Sequence, residues 1–156
     1  MNTIILHKPE LRELAFRRSL LEDPETMAFN RAWGGTIPFP EERWADWYRR
    51  WVEVPDRRFY RLLLDRTAGK FVGEVSFHWD GELGEYLCDV LIAAAFRGRG
   101  YGRQGLELLC GAAGASGVKT LCDNIALDNP SVRLFLRSGF RERYRNETFI
   151  LVEKEL

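Results

Sequence analysis

Four glycines and three arginines lie within thirteen consecutive residues, AAAFRGRGYGRQG, at positions 93–105. Glycines allow backbone N–H groups to converge on an anion without obstruction by Cβ atoms. Arginine side chains can add charge-assisted hydrogen bonds to the same anion. A helix is predicted to begin near Gly102, and the positive end of its dipole would point at the loop. The pattern therefore predicts a loop that binds a phosphate or pyrophosphate group.

Three other interpretations fit parts of the loop. From Gly100 the sequence spells G-x-G-x-x-G, the fingerprint of dinucleotide-binding domains, and Asp123 lies about 20 residues further on. However, AAAFR separates the loop from the preceding strand, and the strands before it form a meander instead of βαβ units. Arg/Gly tracts that bind RNA are long and disordered, whereas this stretch is short and lies between regular elements. A purely structural turn would need the glycines but would gain nothing from Arg97 and Arg99.

The elements that must position this loop follow from hydrophobic periodicity. Before residue 58 the pattern predicts irregular strand material and two helices, and from Arg58 period-two alternation predicts three strands joined by short glycine turns. In chain order we predict a strand at about Leu11–Leu21, helices at 22–35 and 40–54, strands at 58–65, 70–80 and 85–93, a helix at 103–117, a strand at 118–127, a short helix within 128–140 and strands at 140–146 and 147–155. This order predicts one α/β (α+β) domain over residues 1–156 with a mixed, mostly antiparallel sheet.

Composition and charge narrow the class of protein. With 23 basic and 23 acidic residues the formal net charge is zero, which argues against broad electrostatic binding of nucleic acid. No apolar run approaches the length of a membrane span, and the first residues lack the pattern of a signal peptide. Three cysteines without a C-x-x-C motif predict buried free thiols and a cytoplasmic location. The two histidines have no metal-ligand spacing, so no metal is expected.

Two motifs at the right separation carry a resemblance to a known family. The loop Arg97–Gly102, RGRGYG, matches the pattern R/Q-x-x-G-x-G/A, and DNPSVRLFLRSGF at 128–140 is similar to N-x-x-(A/V)-x-x-(Y)-x-x-x-G-F. Together they resemble the GCN5-related N-acetyltransferases, the GNAT superfamily. The resemblance covers nearly the whole chain and is most specific from Glu85 to Phe140. It implies about six to seven strands flanked by about four helices, with strands that splay apart after the strand at 85–93.

The resemblance implies how the chain would bind acetyl-CoA as a co-substrate. In this family the glycine loop holds the coenzyme pyrophosphate, and the strand before it pairs with the pantetheine arm. Asn129 matches the residue that reaches the coenzyme from the second motif, and it is also predicted to be a helix N-cap. The residues that the resemblance assigns to the coenzyme are Val90, Leu91, Ile92, Arg97, Gly98, Arg99, Gly100, Tyr101, Gly102, Asn129 and Phe135.

One of these positions departs from the family pattern. Many members place a tyrosine in the second-motif helix, where it protonates the leaving thiolate. Phe135 occupies the matching position and has no proton to donate. The thiolate is therefore expected to leave unassisted or with help from water, unless another group replaces the tyrosine. Two activities stay open: an N-acetyltransferase that works by direct attack in a ternary complex, and a module that binds an acyl-CoA without efficient transfer.

Acetyl transfer requires a group that removes a proton, because an ammonium with a pKa of about 10 is not a nucleophile. Between Phe71 and Phe96 the chain has no Lys or Arg but five acidic residues, which would attract a cationic amine. Glu74 and Asp89 fall mid-strand among apolar neighbours, where a free carboxylate is costly unless it has a partner or a function. These two residues are the candidate bases or amine anchors. Glu85 is a further candidate for binding the acceptor.

The acceptor side is the least recognisable part of the sequence. The aromatic face of the helix at 40–54 is predicted to be hydrophobic core. Trp33 and Phe39 instead lie in a loop with glycine and proline, where no regular element explains them. They are candidate walls of the acceptor pocket, and packing onto the second helix is the alternative. The expected acceptor is an amine of a small molecule, peptide or protein. Family members often dimerise, which leaves a homodimer as an open expectation.

Overall fold

The computed structural model describes residues 3–156, apart from the side chain of Ala32. The strands are β1 (Ile4–His7), β2 (Arg58–Asp65), β3 (Lys70–Asp80), β4 (Glu85–Ile92), β5 (Thr120–Ala126), β6 (Arg141–Arg145) and β7 (Phe149–Glu155). The helices are α1 (Leu14–Leu21), α2 (Trp44–Tyr48), α3 (Tyr101–Ala115) and α4 (Val132–Arg137), with short helical turns at Leu11–Glu13, Ala28–Trp33, Glu41–Arg43, Arg49–Glu53 and Ala94–Phe96. No helix between residues 3 and 156 is both long enough and apolar enough to cross a bilayer.

All seven strands form one sheet, in the order β1-β2-β3-β4-β5-β7-β6. Neighbouring strands are antiparallel except β4 and β5, which run parallel and pair only at Tyr86–Leu121 and Leu87–Cys122. Beyond these two pairs β4 and β5 part, which leaves the rest of β4 without a strand partner on that side. The predicted fold class, a mixed and mostly antiparallel sheet with a splay after β4, is confirmed.

The chain is helical at α1, and the prediction of strand material there is wrong. Leu14, Leu20 and Leu21 are buried on one side of the helix, as the helical repeat requires of a core-facing stripe. The preceding turn carries the start signal, because the Glu13 carboxylate accepts a hydrogen bond of 2.8 Å from the backbone N–H of Glu10. The sequence-based prediction did not take this capping hydrogen bond into account.

The helix predicted at 22–35 is also wrong, since a tight turn and a short 3-10 helix replace it. The Asp23 carboxylate accepts hydrogen bonds from the Thr26 hydroxyl (2.6 Å) and from the backbone N–H of Glu25 (3.3 Å). A side chain that binds nearby backbone in this way competes with regular helix. The 3-10 helix ends at Gly34, whose φ of 107° favours glycine. The segment is therefore a compact loop that can bring side chains to the sheet from outside.

Two hydrophobic cores pack on opposite faces of the sheet. Along β2 the side chains alternate, so that Leu63 joins the core beneath α3 and Leu62 joins the core beneath α1 and α2. Helix α3 approaches the sheet closely, because a Cβ added at Gly105 would lie 2.7 Å from Leu63 Cδ1. On the other face, the Trp44 indole N–H donates to the Phe39 carbonyl at 2.9 Å, and the rings of Trp47 and Trp51 stack 5.5 Å apart.

Candidate active site

A cavity of about 570 Å³ lies beside the end of β4, the glycine loop and the start of α4. The residues that were assigned to the coenzyme and that line this cavity are Val90, Leu91, Ile92, Arg97, Gly98, Gly100, Tyr101, Gly102 and Asn129. Arg99 does not line it; its guanidinium lies 5.7 Å from the centre of the Phe96 ring. The structure therefore brings most of the two separate motifs to one site.

The glycine loop is open where an anion would approach it. Gly98 and Gly100 have φ values of 78° and 82°, and a Cβ added at either would meet no atom within 4 Å. Such a backbone can turn its N–H groups toward one point. Helix α3 begins immediately afterwards, at Tyr101, whose hydroxyl donates to Asp65 Oδ2 at 2.5 Å and fixes the start of the helix against β2. The residues present fit the pyrophosphate of a coenzyme, as the sequence predicts.

Arg97 has a structural role within the protein. Its guanidinium donates to the backbone carbonyls of Ile92 (3.1 Å), Thr26 (2.7 Å) and Glu25 (3.5 Å), and so connects the glycine loop to the turn at residues 23–26. These bonds use three of its five N–H donors. Because the side chain also lines the first cavity, the expectation that it binds an anion stays a prediction. The Thr26 hydroxyl reinforces the connection between loop and turn by accepting a hydrogen bond of 3.0 Å from the backbone N–H of Ala94.

The N-terminal side of α4 differs slightly from the prediction. The helix begins at Val132, with Ser131 at its N-cap, instead of directly after Asn129. The Asn129 side chain still binds this turn, since its Oδ1 accepts a hydrogen bond of 2.9 Å from the backbone N–H of Ser131. Asn129 thus supports the start of α4 and lines the first cavity at the same time.

A second cavity, of about 260 Å³, adjoins the first on the face of the sheet that α1 and α2 cover. The residues common to both cavities are Phe29, Val90, Leu91, Asn129 and Ser131. Three carboxyl groups line the second cavity, those of Glu74, Asp89 and Asp123. Its other walls are largely aromatic. Two adjoining cavities, one next to the glycine loop and one with acidic groups, can hold two reactants side by side.

The Glu74 carboxylate is engaged within the protein. It forms a buried ion pair with Arg17 and accepts a hydrogen bond of 3.0 Å from the Tyr60 hydroxyl. The Arg17 guanidinium also lies over the Trp47 ring, 4.4 Å from its centre. Burial alone would lower the pKa of Arg17, but the charge of Glu74 and the interactions with Tyr60 together outweigh it, and the net direction is upward. Burial, followed by the charge of Glu74, raises the pKa of Tyr60 well above its usual value.

Asp89 and Asp123 flank the gap where β4 and β5 part. The Asp89 side chain is exposed to the water of the cavity, although protein encloses the cavity around it. This enclosure, followed by the charge of Glu74, raises the pKa of Asp89 to about 7, and the charge of Arg17 acts in the opposite direction. Enclosure and then the charge of Asp89 raise the pKa of Asp123 well above its usual value. Each of the two carboxyl groups therefore keeps its proton to a higher pH than an ordinary aspartate does.

His78 lies in the second cavity beside this pair. Its ring is 5.8 Å from the Trp51 ring in an edge-to-face arrangement, and Nδ1 is buried without a hydrogen-bond partner among the described residues. Burial lowers the pKa of His78, so the ring is neutral at physiological pH. The cavity therefore contains a neutral imidazole, and the basic side chain of Arg17 is already paired with Glu74.

Of the two residues predicted to form walls of the acceptor pocket, Trp33 lines the second cavity and Phe39 does not. Trp33 lines the second cavity and is 48% exposed. Phe39 is 5% exposed, stacks against Trp44 and Trp47, and lines neither cavity. The expectation for Phe39 is corrected accordingly, because its ring is buried in the core beneath α1 and α2.

Glu85 and Phe135 also lie elsewhere than expected. The Glu85 carboxylate lies at the start of β4, outside both cavities, where it binds Arg143 and accepts a hydrogen bond of 2.7 Å from the Cys122 thiol. Arg143 also binds Glu153, so these groups form an ion-pair network at the far end of the strand. Burial raises the pKa of Cys122 to about 12. Phe135 lines the second cavity instead of the first, with its ring 5.0 Å from that of Phe140.

Three residues of the second cavity were missed by sequence reasoning. Arg17 lies in the segment that was predicted as a strand, so its helical spacing from Leu14 was not considered. Asp123 was noted only for the dinucleotide interpretation, although a carboxyl group in an apolar strand is itself a signal. His78 was considered for metal binding, as one of the two histidines. The cost of placing a polar group among apolar neighbours could have identified Asp123.

Comparisons with known proteins agree with this geometry. A family model described as an acetyltransferase (GNAT) domain matches residues 3–141. No curated protein sequence matches the chain significantly. Several solved structures share its fold at low sequence identity.

Three of these solved structures illustrate the similarity. A domain from Methanocaldococcus jannaschii has 20% identity and a TM-score of 0.79, covering 98% of each chain. An acetyltransferase from Thermus thermophilus has 24% identity and a TM-score of 0.72, covering 99% of this chain and 98% of its own. Spermidine N-acetyltransferase from Vibrio cholerae, in complex with CoA and spermine, has 16% identity and a TM-score of 0.79, covering 98% of this chain and 95% of its own.

Proposed function

Because the chain belongs to the acetyltransferase (GNAT) family, we propose that it transfers the acetyl group of acetyl-CoA directly to a primary amine held in the second cavity. The observation that supports this most strongly is the meeting of the two cavities at Val90, Leu91, Asn129 and Ser131. A thioester that reaches this junction from the first cavity would face an amine in the second. The two reactants would then form a ternary complex without a covalent enzyme intermediate.

The first cavity has the features that a coenzyme A molecule needs. Acetyl-CoA supplies the acetyl group as a reactive thioester. The open backbone at Gly98 and Gly100 and the start of α3 would bind the pyrophosphate. Beyond Leu87 the side of β4 that faces β5 has no strand partner, so its N–H and C=O groups are available to the amides of the pantetheine arm. Val90, which lines both cavities, lies in this unpaired stretch.

Of the two candidate bases, we assign the proton transfer to Asp89. Glu74 is bound to Arg17 and Tyr60, whereas the Asp89 carboxyl group faces the cavity. A pKa of about 7 suits a general base that works near neutral pH. Asp89 takes one proton from the ammonium, directly or through water. The amine nitrogen then bonds to the acetyl carbon, the carbon–sulfur bond breaks, and the second nitrogen proton passes to the sulfur.

No tyrosine in α4 can carry the second proton to the leaving sulfur, because Phe135 occupies the position where the family often has one. The ring of Phe135 is buried against Phe140 and lines the second cavity. Transfer of this proton to sulfur through water in the open junction is consistent with the geometry. Cys88 and Cys122 are buried, and burial raises the pKa of both thiols, so neither is suited to act as an acyl carrier.

The proposal is tested by measuring thiol release from acetyl-CoA with a panel of primary amines. Asp89→Asn should lower kcat by about a hundredfold or more, which is the range for loss of a general base. The matched control is Asp46→Asn, because Asp46 is exposed on α2 and binds only Arg50 on the same helical surface. Equal kcat values for wild type and Asp89→Asn would exclude Asp89 as the base.

A second candidate function is a module that binds an acyl-CoA without efficient transfer. The observation that favours it is Phe135, which leaves α4 without a proton donor at the position where the family often has one. Tight binding of CoA with no thiol release for any amine would support this module. Steady thiol release that depends on amine concentration would eliminate it.

A further inference from the structure

The second cavity is small and asymmetric in charge, and both properties restrict the amine it can take. Its volume is about 260 Å³, less than half the 570 Å³ of the first cavity. A third cavity, of about 310 Å³, adjoins it at Trp33, His78, Asp89 and Asp123. A compact amine fits within the second cavity, whereas a longer ligand would extend into a neighbouring one.

The walls of this cavity favour an apolar or aromatic body. Six aromatic residues line it. They are Phe29 and Trp33 from the helical turn at Ala28–Trp33, Trp47 from α2, Trp51 from the helical turn after α2, Tyr60 from β2 and Phe135 from α4. Leu21, Met27 and Ile37 add aliphatic surface. Burial of an apolar group against such walls is favourable in proportion to its area. Five polar side chains also line the cavity and could bind a few polar groups of a ligand, but the apolar residues outnumber them; the five are Asn30, Ser76, Asn124, Asn129 and Ser131.

The charges of the cavity provide for one cation only. Glu74 is neutralised by Arg17, so it offers little attraction to a second positive group. The remaining acidic groups are Asp89 and Asp123, which lie side by side where β4 and β5 part and so form a single acidic position. His78 is neutral and adds no anion. Among the described residues that line the cavity, a second ammonium would find no unpaired carboxylate.

From this arrangement we propose that the acceptor is a primary monoamine with a compact apolar, preferentially aromatic body, whose ammonium is received by Asp89 and Asp123. The inference rests on the proposed function, since it names the substrate class of the same site. A site for one ammonium differs from a site for linear polyamines, because each ammonium of a polyamine needs its own acidic or polar partner. The inference also places Asp123, alongside Asp89, in contact with the amine.

The test compares three small amines of nearly equal size, which differ in charge and shape, and a larger peptide amine. 2-Phenylethylamine, 2-cyclohexylethylamine, spermidine and a tripeptide with a free N-terminus would each be assayed for thiol release from acetyl-CoA. The same amines would be tested for thermal stabilisation of the CoA-bound protein, a readout that needs no turnover. We expect kcat/KM for 2-phenylethylamine to exceed that for spermidine by about tenfold or more, the factor that a mismatch of about 1.4 kcal/mol produces.

The outcomes separate the inference from the function on which it rests. Faster turnover of spermidine or of the tripeptide would overturn the monoamine class and leave the transferase function intact. Absence of turnover with every amine would overturn the function. In that case stabilisation by 2-phenylethylamine but not by spermidine would still support the site, and equal or absent stabilisation would overturn it.

A pair of exposed tryptophans supplies matched variants. Trp33 lines the cavity, and Trp33→Ala should raise KM for 2-phenylethylamine by about tenfold while kcat changes little, as expected for loss of one aromatic wall. Trp79, which is 36% exposed and contacts Tyr86, lines neither cavity, so Trp79→Ala should leave both constants unchanged. If the two variants behave alike, Trp33 is not a wall of the amine site.

Discussion

The two cavities are built by different parts of the polypeptide, and the difference explains why only one could be predicted from the sequence. The first depends on backbone: a glycine loop, a helix start and an unpaired strand edge. The second depends on side chains that come from α1, the loop before α2, α2 itself, α4 and four strands. Backbone sites leave a local motif of fixed spacing, whereas side-chain sites are assembled by long-range contacts and leave no such motif.

The largest expected effect tests whether the second cavity depends on its buried ion pair. Glu74→Gln would leave the Arg17 charge buried without its partner, and this should reduce the free energy of unfolding by about 3 kcal/mol. Chemical denaturation measures the change. The control is Glu107→Gln, whose partner Arg103 is exposed on α3, and it should change stability by less than about 0.5 kcal/mol.

The same variant tests whether the first cavity keeps its CoA affinity when the ion pair of the second cavity is lost. We expect folded Glu74→Gln to bind CoA as tightly as wild type at low temperature, because Glu74 does not line the first cavity. A parallel loss of CoA affinity and stability would mean that the two cavities are one energetic unit.

The next effect concerns the backbone of the first cavity. Gly100→Val adds bulk where the coenzyme must approach, and we expect CoA affinity to fall by about a hundredfold or more, which calorimetry can measure. Gly84→Val is the matched control, since Gly84 has a similar φ of 72° in the turn between β3 and β4 and lies away from both cavities. Both variants carry a similar backbone strain, so a selective loss in Gly100→Val reports on the site. Unchanged CoA affinity in Gly100→Val would contradict the pyrophosphate assignment.

A smaller effect follows from the raised pKa of Asp89. A base must be deprotonated to accept a proton, so kcat/KM should rise by about tenfold per pH unit below pH 7 and level off above it. In Glu74→Gln the neighbouring charge that raises this pKa disappears while Arg17 remains, and the midpoint of this profile should move to lower pH. A profile that is flat between about pH 5 and pH 8 would exclude a base with this pKa.

The smallest expected effect is a gain in stability when Asp89 is replaced by asparagine. Asp89 binds its proton more tightly in the folded state, with a pKa of about 7, than in the unfolded state, at about 3.9. Between these values the folded state holds the extra proton, so this group makes the wild type less stable as pH rises. Asp89→Asn lacks that loss and should gain about 1 kcal/mol relative to wild type from about pH 5 to pH 8, a value reduced because cavity water screens the carboxyl group. Melting temperatures of both proteins at several pH values measure it, and a difference of opposite sign would contradict the raised pKa.

The elements that sequence reasoning located correctly are those specified by neighbouring residues. Strands β2 and β3 were predicted with the observed bounds because period-two alternation and glycine turns mark them locally. The segment before β2 was predicted poorly, since Asp23 closes a side-chain turn and Glu13 caps a helix, and both signals are weaker than periodicity. The roles of Arg17 and Phe39 could not be predicted, because each is set by contacts with residues far away in the chain.

Strand β4 serves both halves of the molecule through the alternation of its side chains. Cys88, Val90 and Ile92 belong to the core beneath α3, whereas Leu91 packs on the opposite core and Asp89 lines the second cavity. Deletion of a single residue within β4 would exchange these two sets, placing an acidic group against α3 and an apolar one in the amine site. A change in the length of this strand should therefore be more damaging than a substitution at one position, and natural or engineered length variation in this protein should be confined to the loops on either side of it.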